Sequence, residues 1–269
     1  MRGAGLLLVP AGLLYGLFGV LPIALIVKMS LAQGGAPYAE VLGGRLLPRI
    51  ISNTLVISLT TALLAVLLGF LLAAALWRAR PGARAVLLGF ILLPFWTAVL
   101  IKNFAWAALL QDNGIINTLL QSLGLTDAPV TLLHNRFAVI VGMVHYVLPY
   151  AVFPIHTALR GIDPRVERAA RSLGAPSLIV ITRVVLPLAL PGVAAAALLT
   201  FIVSAGFFIT PVILGAPSDM MMSNLVDYYV HELVDFNAAS AMAVLILLAL
   251  APAIVLQQRI SRGVRHGTA

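Results

Sequence analysis

Six long apolar stretches separated by polar segments set the pattern of the chain: Leu6–Val27, Thr54–Trp77, Ala85–Ala108, Phe137–Leu159, Leu186–Leu214 and Ala238–Leu256. A helix crossing roughly 30 Å of hydrocarbon needs about 20 predominantly apolar residues. Soluble core helices usually stop within about 8–20 residues and carry caps. Each stretch therefore predicts a membrane-crossing helix. The expectation is an all-α membrane protein with about six transmembrane helices, forming one transmembrane domain over residues 1–269. The first stretch follows Arg2 as a secretory signal would, but the apolar core of a signal is only about 7–15 residues. Here it exceeds 20 residues before Lys28, which predicts a retained span.

Composition agrees with that pattern. Hydrophobic residues make up 61% of the 269 and charged residues 10%, whereas soluble domains carry about a quarter of their residues charged. The net charge of +8 would suit nucleic acid or an anionic surface, so its placement matters. With the N-terminus inside, the cytoplasmic segments hold Arg2, then Arg78, Arg80 and Arg84, then Arg160, Arg165, Arg168, Arg171 and Arg183, then Arg259, Arg262 and Arg265. Only Asp163 and Glu167 oppose them, leaving +10 inside. The outer segments hold Lys28, Arg45, Arg49, Lys102 and Arg136 against Glu40, Asp112, Asp127, Asp219, Asp227, Glu232 and Asp235, leaving −2. Excess Lys and Arg mark the cytoplasmic side. Both termini are expected inside, the positive charge is topological, and no nucleic-acid partner is implied.

Several chemistries lack residues to carry them. There is no cysteine, which removes disulfides, thiol catalysis and thiolate metal sites. No Gly-x-x-x-x-Gly-Lys-Ser/Thr loop is present to cradle a nucleotide. The histidines, His134, His145, His156, His231 and His266, are spaced by 11, 11, 75 and 35 residues, so no two share a helical turn and no metal site is expected. His145 and His156 fall within a span, where an ionisable group is a functional candidate; the plainer reading is a neutral imidazole bonded to a carbonyl or a neighbouring helix. None of the nine acids lies within a span. Ion-coupled carriers hold such groups at membrane depth, so the energy source is expected in another subunit and no enzyme activity in this chain. Two Asn-Thr-Leu triplets, Asn53–Leu55 and Asn117–Leu119, are too short to mark a repeat.

The connection from about residue 160 to 185 has helical sequence of its own. Asp163 suits an N-cap and Pro164 a first helical position. Val166, Ala169, Ala170 and Leu173 recur at helical spacing. Gly174 stands where a helix end wants a left-handed residue, and Pro176 opens a second helix carrying Ile179, Ile181, Val184 and Val185. The prediction is a helix–Gly–helix unit at the inner membrane face. A plain amphipathic interfacial helix would share most of these features.

This unit resembles the EAA loop of ABC importer permeases: Arg168-Ala169-Ala170, then Gly174, then Leu186-Pro187. The family's glutamate position is Arg168 here, with Glu167 one place earlier. Leu92–Leu120, Phe207–Pro217 and Asn224–Ala239 are also similar to the spermidine/putrescine-type permeases, so the resemblance covers most of the chain after the second span. It implies a type I ABC importer permease fold, N-in and C-in, with no catalysis or cofactor in this chain and ATP with Mg in a partner ATPase. The implied partners are a second, similar but non-identical permease, two copies of a cytoplasmic ATPase subunit, a periplasmic solute-binding protein and membrane lipid. The implied location is the bacterial inner membrane.

Within that resemblance, Arg165, Glu167, Arg168, Ala169, Ala170, Leu173, Gly174 and Ala175 are expected to couple to the ATPase. Trp96, Phe95, Asn103, Tyr146, Tyr150, Phe207 and Phe208 are expected along the substrate path. Aromatic faces attract ammonium groups by roughly 0.5–2 kcal/mol, although Trp and Tyr also form belts at the membrane interface. The substrate implied is a polyamine such as spermidine or putrescine, carried by alternating access. Another small amine, a phosphonate or a metal chelate stays open, and so does a stand-alone secondary transporter or channel. Lys102 at the outer end of the third span would even suit an anion.

Overall fold

The computed structural model describes Pro10 and residues 12–266; Arg2 and the first residues of the Leu6–Val27 stretch lie outside the described residues. Among the described residues every regular element is helical. In chain order these are α1 (Gly12–Ser30), α2 (Ala36–Gly43), α3 (Leu47–Arg78), α4 (Pro81–Trp96), α5 (Val99–Leu110), α6 (Ile115–Ser122) and α7 (Arg136–Arg160). They are followed by α8 (Pro164–Ser172), α9 (Ser177–Ala205), α10 (Ile209–Leu214), α11 (Met222–His231) and α12 (Phe236–His266). Five of them, α1, α3, α7, α9 and α12, are long and apolar enough to cross a membrane, and α4 with α5 supplies a sixth crossing if that bent pair counts as one span.

Two apolar stretches differ from the straight helices expected. Ala85–Ala108 is broken: Pro81–Trp96 and Val99–Ser122 are bent by 101°, with Thr97 and Ala98 in extended conformation between them. Pro94 has no N–H to bond back into its helix. The Thr97 hydroxyl also donates to the Leu93 carbonyl at 3.1 Å, competing with helical continuation. The Leu186–Leu214 stretch begins earlier, at Ser177, and stops at Ala205, so Ile209–Leu214 is a separate helix. A π-helical turn at Ile181–Val185, closed by Leu186 N–H on the Ile181 carbonyl, carries the helix past Pro187 and its missing donor.

The chain forms two compact units. One comprises Met1–Ile51 and Met222–Ala249, the other Ser52–Met221 and Leu250–Ala269. In the first, the Tyr38 hydroxyl donates to Ser30 Oγ at 2.8 Å, and the Asp235 carboxylate caps α12 by accepting from the Asn237 and Ala238 amides. In the second, Ala65, Ala73, Ala151, Ala189 and Ala196 are fully buried together with Leu76, Val147, Ile155, Leu159 and Val180. Lipid tails are as apolar as leucine, so helices associate here by close van der Waals packing, which small residues permit.

Gly192 shows how close α9 comes to α7. A Cβ built there would lie 2.8 Å from the Pro154 carbonyl oxygen and would collide with the Ala158 side chain. Gly192→Val should therefore separate the two helices, at about 1–3 kcal/mol for overpacking. Thermal unfolding of the purified chain in detergent should show a lowered midpoint; an unchanged midpoint would mean that α7 and α9 yield at this crossing.

Candidate functional site

The connection between α7 and α9 brings the first group of predicted residues together. Asp163 Oδ1 accepts from the Arg165 amide at 2.8 Å and Pro164 occupies the first turn, so α8 starts as its sequence requires. Its far end closes with two bonds, Gly174 N–H to the Arg171 carbonyl at 3.0 Å and Ala175 N–H to the Ala170 carbonyl at 3.2 Å. That closure needs a left-handed residue, and Gly174 has φ +80°. A Cβ at Gly174 would meet nothing of this chain within 4 Å, so backbone conformation alone asks for glycine.

One side of this unit is anchored and the other is bare. Ala170 and Ala175 pack against the buried core of α3, α7 and α9. Arg165, Arg168 and Ala169 are exposed, and Leu173 is 89% exposed. Glu167 is the polar anchor: its Oε1 accepts from Arg171 Nη2 at 2.8 Å and from Arg78 Nη2 at 3.2 Å. Burial pushes its carboxyl up, but hydrogen bonds from Arg171 and Arg78 outweigh that and hold it below the ordinary glutamate value. Arg78 ends α3, so Glu167 ties α8 to that helix. The sequence offered no sign of the pairing, because the partners are 89 residues apart and Arg78 reads there only as a topological charge.

The second group is an aromatic tier. Tyr146 and Tyr150, one turn apart on α7, are near-parallel with centroids 6.1 Å apart. Phe207 meets Tyr146 edge-on at 4.7 Å and Phe95 lies 5.8 Å from Tyr150. Phe208, partly buried, follows at the start of α10. Trp96 ends α4 and is 87% exposed. Asn103 is buried, its Oδ1 accepting from the Thr210 hydroxyl at 3.1 Å, so it joins α5 to α10.

Lys102 belongs to this neighbourhood although charge placement put it at the outer end of a span. It is 9% exposed, its Nζ donates to the Pro94 carbonyl at 2.9 Å, and it lies 4.4 Å from the centre of the Tyr146 ring. The bend after α4 makes that approach possible. The two intramembrane histidines follow the plainer reading. His145 Nδ1 accepts from Trp106 Nε1 at 2.9 Å, which requires an imidazole with its proton on Nε2, and His156 Nδ1 lies 3.4 Å from the Ala73 carbonyl. A further network escaped the sequence. Arg136 bonds Asn53 Oδ1 at 2.7 Å and Asp219 Oδ1 at 3.3 Å, while Asn53 Nδ2 donates to the Ser218 carbonyl at 2.7 Å. It fixes one end of α3 and α7 to the segment after α10. Asn117 bonds the Gln111 and Val130 carbonyls, so both triplet asparagines are buried with partners of their own.

The chain is similar to known proteins in sequence and in fold. Residues 35–266 match the family model described as the binding-protein-dependent transport system inner membrane component. The chain is 31% identical over 204 residues to the spermidine/putrescine transport system permease protein PotB of Haemophilus influenzae, covering 75% of this chain and 71% of that one. It is also 31% identical over 212 residues to PotB of Escherichia coli K12, covering 77% of each. In fold it is similar to a bacterial alginate ABC transporter chain, with TM-score 0.80 and 19% identity over 97% of this chain and 94% of that one. A chain of the MetNI methionine ABC transporter gives TM-score 0.58 at 20% identity, over 81% of this chain and 96% of that one.

The Glu167 tie is testable alone. Glu167→Gln should speed amide hydrogen exchange over residues 164–172 by about fivefold or less at neutral pH, the scale of roughly 1 kcal/mol for a partly exposed ion pair. A carboxyl held below its ordinary value contributes stability above that value and loses it as the pH falls through the lowered one. The two proteins should therefore converge only in acid, below the ordinary 4.5. Equal exchange at neutral pH would show that the pair does not hold α8.

Proposed function

The chain belongs to the binding-protein-dependent transport system inner membrane components, as a permease subunit of a bacterial ABC importer, and on that premise we propose that it carries an aliphatic polyamine into the cytoplasm by alternating access. The observation that carries the substrate class is the identity shared with spermidine/putrescine permeases over three quarters of the chain. The aromatic tier of Phe95, Tyr150, Tyr146 and Phe207 supports it, because ring faces attract an ammonium group without the tight hold of a carboxylate. Asn103, Trp96 and Phe208 border the same path.

In this reading a second, similar permease completes the path, a periplasmic binding protein delivers the amine, and two copies of a cytoplasmic ATPase bind ATP with Mg. The chain acts as a single transmembrane permease domain with no catalysis of its own. The coupling unit is residues 160–185. Arg165, Arg168, Ala169, Leu173 and Gly174 meet the ATPase, while Glu167, Ala170 and Ala175 hold the unit to the spans. ATP-driven closure then biases one state of the path over the other, as a coupling between two sites must. The basic excess supports a cytoplasmic side for α8 and both termini.

Orientation has a direct check, because the chain has no cysteine of its own. An impermeant thiol reagent outside intact cells should label Ser218→Cys and not Ser172→Cys, both positions being exposed. The reverse pattern would put α8 out of reach of a cytoplasmic ATPase.

Coupling is tested at Gly174. Any side chain there costs about 1 kcal/mol in the left-handed region, and an aspartate adds a charge at the partner surface. With the complex reconstituted in vesicles, Gly174→Asp should abolish stimulation of ATP hydrolysis by binding protein loaded with spermidine or putrescine, or release the ATPase on purification. Arg168→Glu should be tolerated. Normal stimulation in Gly174→Asp would remove this unit as the transmission element. A wild-type complex that ignores both amines would overturn the substrate class.

A further inference from the structure

The break in the third span leaves a helix end within an apolar segment. The last carbonyls of α4 have no helical donors and form the negative pole of the helix. Broken helices of this kind supply cation sites in membrane carriers, since half-helix C-termini and freed carbonyls replace water around the ion. Here the Leu93 carbonyl accepts from the Thr97 hydroxyl at 3.1 Å. The Pro94 carbonyl receives the Thr97 amide at a long 3.4 Å and the Lys102 ammonium at 2.9 Å.

That ammonium is also 4.4 Å from the centre of the Tyr146 ring, in the middle of the aromatic tier. Helix pole, carbonyl oxygen and ring face are the groups that recognise an alkylammonium. No acid of the sequence lies within α3, α4, α5, α7, α9 or α10 to neutralise Lys102, and an intramembrane charge without a counter-ion is costly. The side chain of lysine is itself a butylammonium, chemically the end of an aliphatic diamine.

Resting on the amine reading above, we propose that Lys102 is the resident occupant of an amine subsite, and that an entering substrate ammonium displaces it from Tyr146 and the Pro94 carbonyl. Lys102 then sets specificity in two ways. Substrate must match the groups that lysine already holds, and the tethered charge repels small inorganic cations while no substrate is present. The displaced lysine swings on its flexible stem and no covalent step is involved.

The test uses the assembled complex, purified without binding protein. Putrescine binding is measured by calorimetry for wild type, Lys102→Met, Lys102→Gln and Lys102→Arg, with co-elution of the ATPase confirming assembly. Removing the competitor should tighten putrescine binding by about tenfold or more in Lys102→Met, the scale of losing one desolvated cation–π contact and one charge-assisted hydrogen bond. Lys102→Gln, whose amide still donates to the Pro94 carbonyl, guards against loss of the helix cap and should gain less. Lys102→Arg should bind as wild type does.

Equal or weaker putrescine binding in both neutral variants, once assembled, would overturn the proposal and leave Lys102 a cap of α4. The amine reading is judged separately, by whether putrescine-loaded binding protein stimulates ATP hydrolysis in wild type. Stimulation there with unchanged binding in the variants sinks only the displacement. Absence of stimulation, with an oxyanion such as phosphate binding wild type and not Lys102→Met, sinks both.

Discussion

Hydrocarbon offers no hydrogen bond to a peptide group, and each backbone polar group left unsatisfied there costs several kcal/mol. Long helices meet the requirement by themselves. The third span cannot, because Pro94 and the extended pair Thr97–Ala98 interrupt its ladder. Its stranded carbonyls take donors from side chains instead, the Thr97 hydroxyl on Leu93 and the Lys102 ammonium on Pro94. A charged residue is thereby drawn into an apolar neighbourhood and placed over the Tyr146 ring. The site of the buried Lys102 follows from that interruption.

At the α7–α9 connection the physics differs, because water can satisfy whatever the chain does not. There the structure invests in rigidity. An aspartate cap, a left-handed glycine and a carboxylate shared by two arginines give a nine-residue helix fixed ends and a fixed neighbour. Ala175 is followed by only one residue before α9 begins, so a displacement of α8 has little slack in which to be lost. The exposed Arg168 lies on the same short helix as the anchored Ala170, and the exposed Leu173 follows at its end. In the proposed reading that division turns movement of a bound partner into movement of the spans.

The two histidines lie within an apolar segment and Asn53 and Asn117 outside one, yet all four find partners in the fold. His145 and His156 are satisfied by an indole N–H and a backbone carbonyl. Asn53 joins Arg136 and Asp219 in fixing the segment after α10, and Asn117 fixes residues 111–130. Buried polar groups are nearly always paired, and these bind the fold rather than a ligand.

Apolar runs long enough to span hydrocarbon determined by themselves that the chain is an all-helical membrane protein, because length and composition suffice for that conclusion. The Asp-Pro start and glycine stop of α8 were equally local, each a conformational preference of one residue, and Gly174 stands at φ +80° accordingly. The family resemblance read from Ala169-Ala170, Gly174 and Leu186-Pro187 was carried by the same contiguous stretch. Tertiary structure alone decided which distant groups would meet. Glu167 found Arg78 across 89 positions, Arg136 found Asp219 across 83, and Lys102 reached Tyr146 because a span bent by 101°. Local pattern fixes what each segment is, since its preferences reside in its own residues. Which charge a carboxylate shares, and which ring an ammonium faces, depends on the path the backbone takes between them.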